Sequence, residues 1–433
     1  MKKYESWGRY PRVEHSRVER VLWRDGLPDL SNIAETILPY GYGRSYGDSC
    51  LNEGAALLDM SQLNRFLAFD AEQGILRCES GMRFDEILKV IVPRGWFLPV
   101  TPGTKFVSVG GAIANDVHGK NHHSAGTFGC HVLQFELVRS DGKSYICSPT
   151  ENTDLFKATI GGLGLTGIVT WVSFSLKKIH NPFIEMENIK FSHVDDFFEI
   201  SDEGFESVVS WIDCSATGKN LGRGHFTRGN HAGPHITKET PGEIMLPFPI
   251  DAPEFLLNNF TVKAFNSLYY HRQIPQKKSA VVHYNPFYYP LDMINGWNKM
   301  YGKRGFLQYQ YVIPFNGNEK AVTRDIVSRI AKAGTASFLA VLKKFGNIQS
   351  PGIMSFPRPG VTLALDFSFG GDKTLKLLKE LDEIIMENNG AVYPAKDARM
   401  SPESFKKYFP QWEYFSQFID PKFSSSFWRR VTS

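Results

Sequence analysis

Gly162-Leu163-Gly164-Leu165-Thr166-Gly167 matches the dinucleotide pattern G-x-G-x-x-G at every required position. That pattern serves a doubly wound α/β fold only when a strand precedes the glycines and a helix follows, so that the helix N-terminus meets the pyrophosphate. Here the order is reversed. Thr153–Thr159 carries the spacing of a short helix, and Ile168–Leu176 is β-branched and aromatic strand text. Helix, turn, strand excludes a Rossmann site. An earlier cluster, Gly41-Tyr42-Gly43-Arg44-Ser45-Tyr46-Gly47, is one residue too long for the pattern, and Asp48–Gly54 does not continue as an amphipathic helix.

Working outward, Ala55–Met60 and Gly74–Glu79 read as strands, and Phe84–Val92 reads as a helix closed by Pro93-Arg94-Gly95. Val132–Arg139 and Ser144–Cys147 flank Asp141-Gly142-Lys143, a hairpin signal. Between the two glycine clusters lies a third, Pro102-Gly103-Thr104 followed by Val109-Gly110-Gly111-Ala112-Ile113-Ala114-Asn115-Asp116-Val117-His118-Gly119. Three clusters of small residues let backbone approach a flat or phosphorylated ligand closely, and successive N–H groups can cradle an anion without a helix. The stretch is α+β. Beyond Pro182, strands and helices mix, and Ala216–Glu243 reads as a polar loop, suited to covering a pocket or meeting a phosphorylated lipid, or else as a disordered surface loop.

The chain has 433 residues, long enough for two or three domains with a large core. Its net charge of +4 owes +3 to the first twenty residues, so the remainder is nearly neutral and a nucleic-acid-binding role is excluded. Five scattered cysteines without C-x-x-C fit reduced thiols rather than disulfides or zinc. No signal peptide or apolar run long enough to span a membrane is legible, so a cytoplasmic protein is expected, with peripheral contact at the inner face of the membrane left open. His118, His122 and His123 lack acidic or cysteine companions, and no metal is expected. Aromatics make up 13% of the chain and crowd into Tyr284–Phe315 and Phe405–Trp428, which suits either core or a flat binding wall.

The glycine clusters, Gly43-Arg44-Ser45-Tyr46-Gly47-Asp48, Pro102–Gly119 and Gly161–Gly167, resemble the FAD-binding (PCMH-type) domain of the vanillyl-alcohol-oxidase superfamily. The strings His118-Gly119-Lys120-Asn121-His122-His123-Ser124-Ala125-Gly126, Pro290–Met293, Phe306–Pro314 and Ala395-Lys396-Asp397 narrow the resemblance to the oxidase subunits of decaprenylphosphoryl-ribose 2-epimerases, from about residue 8 to the end. The resemblance implies a two-subdomain FAD-binding domain over residues 1–178, an antiparallel-sheet substrate domain with helices over 179–391, and a C-terminal segment, 392–433, returning to the FAD domain. It places Gly43, Arg44, Ser45, Tyr46, Gly47, Ser49, Gly103, Thr104, Gly111, Ala112, Asn115, Val117, His118, Gly164, Val169, Tyr393 and Lys396 on the cofactor. Where many relatives carry a flavin-linking histidine, this chain has Arg44, which implies noncovalent FAD.

The same resemblance makes Lys396, His118 and Lys343 catalytic candidates, the base remaining open between a lysine and His118, and puts Lys120, Tyr288, Gln310, Lys343, Thr362 and Ala364 beside the substrate. Taken alone, these lysines would read as surface charges. A family member carries cysteine at the place of Ala364 and asparagine at that of Thr362, which leaves the sugar and its carrier open. The implied activity is FAD-dependent oxidation of a ring hydroxyl on a polyprenyl-phosphate-linked pentose, with a separate NAD(P)H-dependent short-chain reductase completing a 2-epimerisation. A soluble sugar, alditol or aldonolactone oxidase using oxygen is the alternative, and a flavin-carrying partner subunit without turnover is a third reading.

Overall fold

The computed structural model describes residues 4–200, 202–236, 238–242, 245–253, 257–335 and 337–433. Three sheets organise it. A parallel three-stranded sheet has Ala56–Asp59 between Arg17–Arg20 and Ile37–Tyr40. An antiparallel five-stranded sheet runs Phe66–Asp70, Ile75–Glu79, Ile168–Ser175, Val132–Val138, Ser144–Cys147. The largest sheet is antiparallel throughout, in the order Lys277–His283, Phe183–Phe191, Gly224–His231, Ser207–Ile212, Ala340–Phe345, Gly360–Ser368, Phe306–Pro314, Ala391–Val392. The fold is α+β, as the sequence leads one to expect.

The turn at Gly162–Gly167 lies between the helix Thr153–Thr159 and the strand Ile168–Ser175, which pairs antiparallel on both sides. Gly161 N–H donates to Ile113 O at 2.9 Å and Leu163 N–H to Ala114 O at 2.8 Å, so this turn docks on the short helix Val109–Ala114. Gly164 and Leu163 both sit at positive φ, +76° and +56°. The glycine serves the turn, where a side chain would be strained.

Strand periodicity explains how the large sheet makes a wall. Along Phe306–Pro314 every second side chain faces one way. Tyr309, Tyr311 and Ile313 enter the core with Ile326 and Ile330 of the helix Glu319–Ala333 and Leu378 and Ile385 of the helix Asp372–Glu387. Gln308 and Gln310 are left for the opposite face. Register then aligns Gln310 with Ala364, Gln308 with Asp366, and Lys343 with Thr362 on three adjacent strands.

One expectation changes. Ala216–Glu243 is not a loop throughout: Gly224–His231 is an interior strand of the large sheet, paired with Phe183–Phe191 and Ser207–Ile212. Its text, Gly-His-Phe-Thr-Arg-Gly-Asn-His, hides the pleat because polar residues on it find partners, as His225 does at 3.1 Å from Asn188 Oδ1. Thr237 and Glu243 of that stretch lie outside the described residues. The aromatic tail is three short helices, Pro402–Tyr408, Trp412–Ser416 and Ser426–Thr432, separated where Pro410 and Pro421 forbid continuation. It packs back on the body, where Ile37 N–H donates to Lys422 O at 2.7 Å and Ser426 N–H to Leu51 O at 2.8 Å.

Candidate active site

A cavity of about 500 Å³ separates the glycine loops from the large sheet. One side is built from Gly41–Tyr46 and Ser49, Gly103–Thr104 and the segment around Val109–Gly119, with Leu163 and Gly164 beyond. The other side carries Gln308, Gln310, Val341, Lys343 and Ala364, while Trp211, Tyr269, Arg272 and Tyr288 continue the wall. Of the residues singled out above, Gly43, Arg44, Ser45, Tyr46, Ser49, Gly103, Thr104, Gly111, Asn115, Val117, His118, Lys120, Gly164, Val169, Tyr288, Gln310, Lys343, Ala364, Tyr393 and Lys396 line it. Gly47, Ala112 and Thr362 do not. Gly47 abuts the tail, since a Cβ there would meet Asp397 O at 1.7 Å. Ala112 is fully buried. Thr362 stands behind Gln310, accepting a hydrogen bond from its Nε2 at 3.0 Å.

The loop 43–49 is fixed from both ends of the chain. Trp7 N–H donates to Ser45 O at 2.8 Å, and Tyr46 N–H donates to Ala395 O at 2.8 Å. Arg430 grips Asp48 with two hydrogen bonds of 2.9 and 2.7 Å and reaches Asp397 at 2.9 Å. The tail thereby holds both the glycine loop and the turn Pro394–Lys396. Arg44 stacks on Trp7, with 4.1 Å from its guanidinium carbon to the ring centroid, and burial lowers its pKa.

At the centre, Lys343 Nζ lies 3.1 Å from His118 Nδ1 and donates to Gly119 O at 3.1 Å. On the other edge of the ring, His118 Nε2 lies 3.1 Å from the Gln310 amide. Burial holds His118 well below its usual pKa, and the charges of Lys343 and Lys396 push the same way. Lys343, buried at 9% exposure, is likewise far below the ordinary lysine range through burial first, then the charges of Lys396 and Lys120. Burial lowers Lys120 to about 7 and Lys396 to about 8, Asp366 acting against it on Lys396. Asp366 is itself pushed up to about 7 by burial, against its hydrogen bonds from Gln308 and Tyr301. His122 and His123 turn away from this centre: His122 Nδ1 accepts from Gly346 N–H at 3.2 Å and His123 Nε2 lies 2.7 Å from Phe205 O.

Several buried polar atoms on the cavity wall have no protein partner among the described residues: Arg44 Nε, Ser49 Oγ and Gln310 Oε1. Such atoms are costly unless a ligand or water completes them. Gly103 adds a cradle, because a Cβ there would meet nothing within 4 Å. These features fit a large polar, anionic cofactor laid along the glycine loops. Several wall residues carry no isolated sequence signal. Gln308 could have been found, since it shares the Gln310 face two residues away; Trp211, Tyr269 and Arg272 could not.

Comparison with known proteins agrees with this geometry. Residues 31–148 match the FAD binding domain family. The chain is 34% identical over 417 residues to the decaprenylphosphoryl-β-D-ribose oxidase of Mycolicibacterium smegmatis, covering 91% of this chain and 89% of that protein. It is 30% identical to an uncharacterised protein of Streptomyces coelicolor, over 80% of this chain and 98% of the other. A protein of Neurospora crassa provisionally named a D-arabinono-1,4-lactone oxidase is 28% identical over 27% of this chain and 21% of its own length. Fold, cavity and family match together define an FAD-dependent oxidoreductase with a PCMH-type FAD-binding domain. More narrowly, the chain belongs to the family of the decaprenylphosphoryl-β-D-ribose oxidase.

Proposed function

We propose that this protein oxidises a ring hydroxyl of a polyprenyl-phosphate-linked pentose to the ketone, as the first half of a 2-epimerisation. The observation that carries the reading is the gathering of Lys120, Lys343, Lys396 and His118 on one cavity whose glycine loops leave room for a cofactor. Burial first, and then their mutual repulsion, opposes the charging of these groups, a penalty that an anionic guest would relieve. The mycolicibacterial relative's named substrate supplies the chemical class.

Bound FAD would supply a two-electron acceptor for the carbon-bound hydride of the sugar. Gly43, Arg44, Ser45, Tyr46, Ser49, Gly103, Thr104, Gly111, Asn115, Val117, His118, Gly164, Val169 and Tyr393 would hold it, supported by their place on the cavity. Lys396 would keep positive charge beside the reacting centre. The hydrogen-bonded pair Lys343–His118 would accept the hydroxyl proton as a unit, both groups being held deprotonated by burial. Gln310, backed by Thr362, would orient the imidazole, and Tyr288 and Ala364 would border the sugar. We read residues 1–178 with 392–433 as the cofactor-holding part and 179–391 as the substrate side.

FAD is read as noncovalent because arginine replaces the linking histidine at position 44, so acid precipitation should leave the flavin in the supernatant; colour kept in the pellet would refute it. A cytoplasmic location with peripheral membrane contact and a separate short-chain reductase complete the proposal. Among the described residues no helix is long and apolar enough to cross a membrane. The test of substrate is incubation with polyprenyl-phosphate-ribose and with free sugars and aldonolactones. A lipid-linked product lighter by two hydrogens supports the proposal, and turnover of free sugars alone favours the aldonolactone-oxidase reading.

A further inference from the structure

Among the described residues, seven of the fifteen exposed large hydrophobics fall between Met245 and Ile274. The helix Asn259–His271 holds three of them and is pinned, not frayed. Its buried Asn266 donates to Asp213 Oδ1 at 3.0 Å and Ser337 O at 3.1 Å, and Asn258 caps its start. Its outer face nevertheless presents Phe260 at 80% and Leu268 at 74% exposure, with Ile274 at 91% just beyond. Scattered exposed apolar residues need no explanation, but a fixed helix with its large apolar residues outward does.

Two further observations say what covers this face. From position 255 to 291 the sequence contains no aspartate or glutamate, while Lys263, Arg272, Lys277 and Lys278 supply positive charge. Lys277 is neutralised by Glu187, but Lys263, Arg272 and Lys278 have no ion-pair partner among the described residues. An apolar helix face rimmed by free cations is complementary to an anionic lipid surface. The face is also continuous with the cavity. Phe265 stacks on Tyr269 at 5.9 Å, Tyr269 contacts Trp211 at 4.5 Å, and Tyr269, Trp211 and Arg272 all wall the cavity.

We propose that Asn259–His271, with Arg272 and Ile274, is a docking face for an anionic bilayer that seats the cavity mouth against the membrane. It deepens the lipid-linked reading above and rests on it. A substrate whose prenyl chain stays in the bilayer then presents its sugar through the aromatic track without leaving the membrane. Arg272, whose guanidinium donates to Tyr269 Oη at 2.8 Å, stands where lipid surface and cavity meet.

The test is cosedimentation of the FAD-loaded protein with vesicles of phosphatidylcholine alone and of phosphatidylcholine with phosphatidylglycerol. The protein should partition to the anionic vesicles and more weakly to the neutral ones. Phe260→Ser/Leu268→Ser/Ile274→Ser should reduce that partitioning by about tenfold or more, with far-ultraviolet circular dichroism and flavin absorbance unchanged. Lys263→Glu/Lys278→Glu, which leaves the apolar face intact, should abolish the preference for anionic vesicles. Failure of the parent protein to sediment, or unchanged sedimentation of the triple variant, overturns the docking face. So does a concentration-dependent dimer that the triple variant abolishes, because a second copy would then cover the patch. Vesicle binding without oxidation of any lipid-linked sugar refutes the substrate reading alone; oxidation without vesicle binding refutes the docking face alone.

Discussion

Arg430→Met tests how the tail builds the site. Arg430 Nε and Nη2 reach both oxygens of Asp48 at 2.9 and 2.7 Å, and Nη2 also reaches Asp397 at 2.9 Å. The side chains of the two acids are only 4% and 1% exposed. Asp397 retains the Arg399 and Met400 amides at 3.0–3.2 Å when the guanidinium is gone, whereas Asp48 loses both of its side-chain contacts. Breaking a buried pair from one side costs about 3–5 kcal/mol, and Asp48 sets the figure here. Burial already raises the Asp48 pKa against the pull of Arg430, so in the variant the carboxyl takes up a proton more readily. The loss should therefore grow as pH rises above the ordinary carboxylate range. Because Asp48 ends the loop that carries Gly43–Ser49, cofactor affinity should fall together with stability. Urea unfolding followed by circular dichroism, with FAD titrated by fluorescence quenching, measures both. Arg430→Lys, keeping one charge contact, should fall between. An unchanged unfolding midpoint with unchanged FAD affinity would refute the clamp.

Three further outcomes are expected. Lys343→Met removes the partner of His118 Nδ1 and the donor to Gly119 O, and should slow substrate-driven flavin reduction by about 10²–10⁴-fold in stopped flow, with FAD still bound. Equal rates in parent and variant would remove Lys343 from the reaction. Lys396, held at about 8, carries its charge only below that value, so a role for the ammonium predicts a reduction rate that falls as pH rises through about 8. Lys396→Arg should move that fall to higher pH, since guanidinium keeps its charge; an unmoved profile assigns the titration elsewhere. Acid precipitation, as described above, checks the mode of FAD attachment.

What could be read in the sequence follows from the range of the forces involved. The helix Thr153–Thr159 emerges where its spacing places it, and the hairpin at Asp141-Gly142 has the expected antiparallel pairing, because turn chemistry and periodicity are local. The reversed order around Gly162–Gly167 was enough to reject a Rossmann sheet, because that order is a property of neighbours. Gly224–His231 was illegible, since its polar side chains are satisfied by partners distant in the chain, such as Asn188 and Tyr269 for His225. The Arg430–Asp48 clamp joins residues 382 positions apart and leaves no local trace. The catalytic and substrate-side residues of the cavity became visible only through family resemblance. No periodicity distinguishes Lys343 from any other strand lysine, and only the pairing of Ala340–Phe345 with Gly360–Ser368 turns it toward His118.

The most direct measurement is anaerobic reduction of the bound flavin. Polyprenyl-phosphate-ribose mixed with the FAD-loaded protein in the absence of oxygen should bleach the flavin absorbance with one equivalent of keto-sugar formed per flavin. Free ribose and aldonolactones should leave it oxidised. Bleaching by free sugars with none from the lipid-linked pentose would contradict the account.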